Sequence, residues 1–227
     1  MSFIRALLIS LGLILLAGCS KAPTFTSGRL VIIGDDTALP SDDIEELDTW
    51  PFRLQRLFDR NGYTVNIVNI SLYKMSLASF NKSLPFSLTA NEPDAVMLML
   101  GYYDVMNEGK QPLLLDMEKL IETTVQNIHA LYPDKPLYLC EMTVPAVTGL
   151  SYSGTFTELY KRVAQKYDYV YLIKSPYSKA FKAASQGASK GRVLTNMGHE
   201  MVAEYLHTEL VNAMKGSKPK VEDNPKK

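Results

Sequence analysis

Cysteine is scarce in this chain, with two among 227 residues, and two cannot build a zinc-type cysteine array. Histidine is nearly as rare, at three, which leaves few candidates for a general base. There is no excess of positive charge either, since 24 Lys and Arg face 24 Asp and Glu. The ends distort that balance: Arg5 is the only charged residue among the first nineteen, and the last thirteen hold five Lys against Glu222 and Asp223. The stretch between them keeps 18 basic and 22 acidic side chains. A protein that grips nucleic-acid phosphates needs a basic surface, so nucleic acid is excluded as a partner. What is present, 46% hydrophobic and 21% charged residues without an internal repeat, describes one ordinary globular domain.

The charge-free apolar run Ala6 to Ala17 is too short to span a bilayer comfortably, and behind the positive start Met1 to Arg5 it reads as a signal peptide. It ends in Leu16-Ala17-Gly18-Cys19, which resembles the lipobox of bacterial lipoproteins. That resemblance implies cleavage before Cys19, acylation of Cys19 by palmitate-type chains, and a membrane anchor facing the periplasm. Ser20 behind the cysteine implies the outer membrane. Several acyl chains hold a protein far more firmly than one. The expected layout is a signal peptide over 1–18, the lipidated cysteine and a polar tether over 19–28, a domain over 29–214, and a disordered, solubilising charged tail over 215–227. Cys140, left without a partner, is expected to be a small buried hydrophobe.

Leu30 to Ile33, Ala95 to Leu100, Leu137 to Cys140 and Tyr169 to Ile173 are apolar runs with the lengths of strands covered on both faces. Tyr63 to Val68, interrupted by Thr64 and Asn66, suits a strand nearer an edge. Helical spacing marks Phe52 to Phe58, the series Leu113 to Leu131, the series Phe156 to Tyr167, and a last helix from about Asn196. The alternation predicts an α/β domain, a three-layer α/β/α sandwich on a mainly parallel five-stranded sheet, flavodoxin-like in class.

Ligands of such sheets sit beyond the carboxyl ends of the strands. There the first strand runs into Gly34-Asp35-Asp36-Thr37 and the third into Gly101-Tyr102-Tyr103-Asp104. Acids in these places cap exposed backbone amides, and three of them could also hold a hard cation such as Mg²⁺. No further ligand set accompanies them, so capping is the expectation, with no metal and no cofactor. Asp35, Asp36, Tyr102, Tyr103 and Asp104 define a candidate pocket.

Arg29 to Thr37, Trp50-Pro51, Val68 to Ser71, Leu100 to Asp104 and Gly191 to His199 together resemble, in order, the blocks of the SGNH (GDSL) hydrolases. The spacing is most similar to the periplasmic thioesterase/lysophospholipase branch. The resemblance covers about Arg29 to Met214 and implies a catalytic set that this chain lacks. Asp36 stands where the family has its nucleophilic Ser, Tyr103 where it has an oxyanion-hole Asn, and Lys190 and Val193 where it has the Asp and His of the last block. The glycine of the second block falls near Lys74 or Met75. Valine cannot accept a proton from a nucleophile, and a carboxylate at Asp36 opposes an oxyanion forming beside it. His199 matches a second, non-catalytic family histidine, for which a helix-terminal or surface place is expected. The resemblance thus implies a membrane-anchored lipoprotein whose domain is non-catalytic and binds a small ligand, a glycan or an envelope protein. The alternative is an esterase, thioesterase or lysophospholipase with rewired residues.

Overall fold

A computed structural model describes residues 24–106, 114–142 and 153–216. The expected signal peptide and Cys19, as well as Leu113, Tyr152 and the tail from 217 onward, lie outside the described residues. Five strands, β1 (Gly28–Gly34), β2 (Val65–Asn69), β3 (Ala95–Met99), β4 (Leu137–Cys140) and β5 (Val170–Ile173), form one parallel sheet in the order β2-β1-β3-β4-β5. The helices are α1 (Trp50–Arg60), α2 (Leu77–Thr89), α3 (Tyr102–Met106), α4 (Leu114–Leu131), α5 (Ser153–Lys166), α6 (Ser178–Lys182) and α7 (Asn196–Met214). A separate antiparallel pair, β6 (Ser189–Lys190) and β7 (Val193–Leu194), forms a small hairpin just before α7.

Alternation along the strands sorts the core into two halves. Val31, Ile33, Val96, Leu98, Leu139 and Leu172 face α2, α4 and α5, where Phe80, Ile121 and Leu159 await them. Leu30, Ile32, Met97, Tyr138, Cys140 and Ile173 face the other way, toward Trp50 and Leu54 of α1 and Val202 and Leu206 of α7. This is the three-layer sandwich that the strand runs predict. Each fully buried aliphatic side chain adds about 1.5–3 kcal/mol relative to exposure. Cys140 lies among them, 1% exposed, with its thiol pushed up by burial.

The interrupted fifth run is indeed an edge strand, β2, and its outer backbone is closed by a side chain: Gln55 donates from Nε2 to the Val65 carbonyl at 2.8 Å and accepts from the Ile67 amide at 2.7 Å. Two boundaries differ from expectation. The polar tether does not extend to residue 28, because Phe25 is 2% exposed within the core and Gly28 already pairs with Val65. A benzyl group gains more in the core than in water, so the domain begins at the residues the composition assigned to a linker. At the other end, the amides of Lys215 and Gly216 close the last turn of α7 on the carbonyls of Val211 and Ala213.

Three helices escape the periodicity. The sequence of α2 holds three Ser, a Thr, an Asn and Pro85, all weak helix formers, yet its start is doubly secured by the Ser76–Ser79 capping box and by Asp104. The other two, α3 and α6, are five residues each, too short to show a period.

Where β3 leaves the sheet, Gly101 holds a φ of 127°, and a Cβ there would meet the Tyr160 hydroxyl at 2.0 Å. That hydroxyl donates to the Leu100 carbonyl at 2.5 Å. Gly101→Ala is expected to destabilise the fold by about 2–3 kcal/mol through backbone strain and overpacking. A denaturant double-mutant cycle should show a smaller cost in a Tyr160→Phe background, where the colliding oxygen is gone; equal costs would refute the collision.

Candidate functional site

The chain leaves β1 for the edge at β2 and then returns past β1 to β3, so the strand order reverses between β1 and β3. A crevice belongs at this point, beyond the carboxyl ends of the two strands. Here it is filled from within. Arg192, at the tip of the β6–β7 hairpin, reaches down so that Nη1 donates to Asp36 Oδ1 at 3.0 Å and Nη2 donates to Asp35 Oδ2. Its guanidinium carbon lies 3.6 Å from the ring centroid of Tyr102 and 4.9 Å from that of Tyr103, and the two rings stand at 90° to each other. The Tyr103 hydroxyl donates to the second oxygen of Asp36 at 2.9 Å.

Asp35 is 3% exposed. Its other oxygen accepts from the Thr37 amide at 3.1 Å and from the Thr37 hydroxyl at 2.7 Å, and Tyr177 shares that hydroxyl at 2.8 Å. Burial pushes the Asp35 carboxyl up, and the Arg192 charge and the Thr37 hydroxyl pull it back. For Arg192 burial works against the charge, while Asp35 and Asp36 more than offset it and hold the guanidinium above its ordinary pKa. Burial, then the bond to Asp36, raises the Tyr103 hydroxyl too, so it serves as a donor. Beneath Arg192 remains a cavity of about 10 Å³ bordered by Asp35, Thr37, Tyr102, Glu141 and Tyr177, space on the scale of one water. Glu141, 4% exposed, accepts from the Ser175 hydroxyl at 2.9 Å, and burial raises its carboxyl pKa.

The structure thus brings Asp35, Asp36, Tyr102 and Tyr103 together, while the carboxylate of Asp104 is engaged elsewhere. Asp104 accepts from the Leu77 amide at 2.7 Å and the Ala78 amide at 3.0 Å, at the start of α2. The three acids therefore do not converge on a cation, and among the described residues no group of three potential ligands could hold a metal.

Lys190 and Val193 are displaced from the roles that the family register gives them. The Lys190 side chain is 78% exposed and pairs loosely with Asp43 at 3.7 Å, and Val193 is 53% exposed. The residue that enters the site is the one between Gly191 and Val193, which sequence reasoning passed over. In a two-residue hairpin loop, neighbouring side chains leave in different directions, and Gly191 with φ of 62° turns Arg192 inward. Lys74 has φ of 56°, a backbone that favours the glycine of the family's second block.

None of the three histidines faces Asp36. His199 is not at the surface but 2% exposed, and its Nδ1 accepts from the Trp50 amide at 3.0 Å. Thr195, one turn before it, donates to the Gly187 carbonyl at 2.6 Å and caps α7. His129 stacks on Tyr169, and His207 packs against Phe58 and Tyr63.

Burial, aided by the Arg53 charge, lowers the His199 pKa to about 4, against about 6.5 in an unfolded chain. The stability this contributes is complete above pH 6.5 and is lost as pH falls toward 4, because the unfolded chain takes up the proton first. Between pH 7 and 4.5 the loss from this residue should be on the order of 2–3 kcal/mol. Denaturant unfolding should show His199→Asn, which keeps an acceptor but no titration, with a shallower pH dependence than the parent chain; identical slopes would remove His199 from the account.

No family model matches the chain, and no curated protein does. Solved structures do. TesA superposes with a TM-score of 0.69 at 20% identity, over 81% of this chain and 98% of TesA. The psychrotrophic esterase EstA from Pseudoalteromonas sp. gives 0.71 at 16% identity, over 82% of this chain and 98% of EstA. A catalytic mutant of Axe2, an acetylxylan esterase from Geobacillus stearothermophilus, gives 0.67 at 16% identity, over 82% of this chain and 96% of Axe2. A putative lipolytic protein of the G-D-S-L family from Desulfitobacterium hafniense is similar at 0.65. With its five parallel strands in the order 2-1-3-4-5 and helices on both faces, the chain has the fold of the SGNH/GDSL hydrolases.

Proposed function

We propose that this chain is a non-catalytic, ligand-binding or envelope-assembly lipoprotein, anchored through acylated Cys19 and facing the periplasm, in the outer membrane. Its hydrolase-like domain supplies the scaffold, and the function lives in the site rather than the fold. One observation carries the reading: the crevice is occupied by the Arg192 ion pair with Asp35 and Asp36. The cavity left beneath Arg192, about 10 Å³, is on the scale of one water and does not accommodate an acyl group. Asp36 has both oxygens engaged, by Arg192 and Tyr103, and no histidine is near it to relay a proton. The lipobox-like Leu16 to Cys19 supports the anchor, and Ser20 supports the outer membrane.

The esterases among the similar structures favour the second reading, an acyl hydrolase with rewired residues. Hydrolysis of short and long acyl p-nitrophenyl esters and acyl-thioesters by the chain from Ser20 onward separates the two. The expected rate equals that of Asp36→Ala and stays at the uncatalysed level. Turnover of about 1 s⁻¹ or more, abolished by Asp36→Ala, would replace the binding reading with the hydrolase.

A further inference from the structure

The chemistry of the crevice is shown by what it holds. Two carboxylates meet the nitrogen edges of a guanidinium and two tyrosine rings lie against its carbon, one of them at 3.6 Å. Paired acceptors in a fork and aromatic faces alongside are the recognition pattern for a planar guanidinium, and fit the compact, strongly hydrated ammonium of lysine less well. The cage stands on the main sheet: Asp35 and Asp36 follow β1, and Tyr102 and Tyr103 begin the short helix after β3. Its components also have contacts that do not involve the arginine: Thr37 holds Asp35, and the Tyr103 hydroxyl donates to Asp36.

The group in the cage arrives on a separate element. The hairpin pairs only Ser189 with Leu194 and Lys190 with Val193, apart from the five-stranded sheet. Gly187, φ 88°, precedes it, and Gly191, φ 62°, sits at its tip. The side chains at the outer rung, Lys190 and Val193, face solvent. The inner rung, Ser189 and Leu194, is anchored at the core, and the short tip beyond it is the part that can open locally while the sheet stays closed. With Arg192 withdrawn the cage keeps two carboxylates and no cation, so it would not stand vacant beside a cationic ligand of the right shape.

We propose that the crevice is a guanidinium-binding cage held shut by the chain's own Arg192, and that its ligand is a guanidinium group that exchanges with Arg192. This rests on the binding reading above and names the chemistry of the ligand. The source is either a free guanidino compound or an arginine side chain within a polypeptide.

Two measurements on the chain from Ser20 onward, which retains every described element, test the proposal. In Arg192→Ala, thermal unfolding with ethylguanidinium should show a saturable rise in Tm of about 3–5 °C at tenfold above its Kd. Ethylammonium should bind at least about tenfold more weakly, and the parent chain, in which Arg192 competes for the cage, should need a higher ethylguanidinium concentration for the same rise. A folded Arg192→Ala that does not distinguish the two cations would overturn the cage. In the parent chain, the ¹⁵N resonance of Arg192 Nε should shift on titration with a Gly-Arg-Gly peptide and stay still with Gly-Lys-Gly. A shift with arginine amide as well assigns a free guanidino compound as sufficient; a shift with the peptide alone assigns a polypeptide. No shift with either overturns exchange and leaves Arg192 as a permanent plug, and this titration decides alone if Arg192→Ala fails to fold. Ester turnover in the same sample would instead sink the binding reading beneath it.

Discussion

A carboxylate cannot leave water alone, and Asp35 has left it almost entirely, at 3% exposure. Desolvating an unpaired carboxylate costs several kcal/mol, and the arrangement at the end of β1 offsets that cost piece by piece. Thr37 supplies an amide and a hydroxyl, and Tyr177 from the far side of the sheet fixes that hydroxyl. Arg192 supplies the opposite charge, and needs Asp36 and two aromatic rings to make its own burial tolerable. The loop after β1, the loop after β3 and the hairpin before α7 are therefore interdependent, although far apart in sequence.

A second set of contacts braces the same end of the molecule. The indole of Trp50 donates to the Thr37 carbonyl at 3.0 Å while its amide donates to His199. One fully buried residue thus joins the turn that positions Asp35 to the first turn of α7. Histidine here serves packing and hydrogen bonding, held neutral by its surroundings.

Four of the five strands are legible in the sequence because both faces of each are covered, so their residues form unbroken apolar runs such as Leu30 to Ile33. The fifth betrays its edge position through Asn66. The helix α2 is illegible because capping and the packing of Leu77, Phe80, Leu84 and Leu88 stabilise it against a composition that argues for a turn. In the site, Asp35, Asp36, Tyr102 and Tyr103 are readable, since every strand of a parallel sheet delivers its following loop to the same end. Arg192 is not, because a hairpin tip has no periodicity, and one residue's difference decides whether Arg192 or Val193 points inward. Phe25 is missed for a similar reason: a single aromatic in a polar stretch carries no pattern until its partners are known.

The Gln55 amide, occupying the outer backbone of β2, bears on how many copies of this protein can live close together. An unpaired strand edge is a template on which another chain can add, and from there fibrils grow. On β2 the template is already written over by a side chain from the chain's own first long helix. A neighbouring copy that drifts alongside meets a primary amide that already holds the Val65 carbonyl and the Ile67 amide, so the row of free donors and acceptors is interrupted there. A strand adding at this edge must first displace that amide from both groups, a cost incurred before any new ladder bond forms.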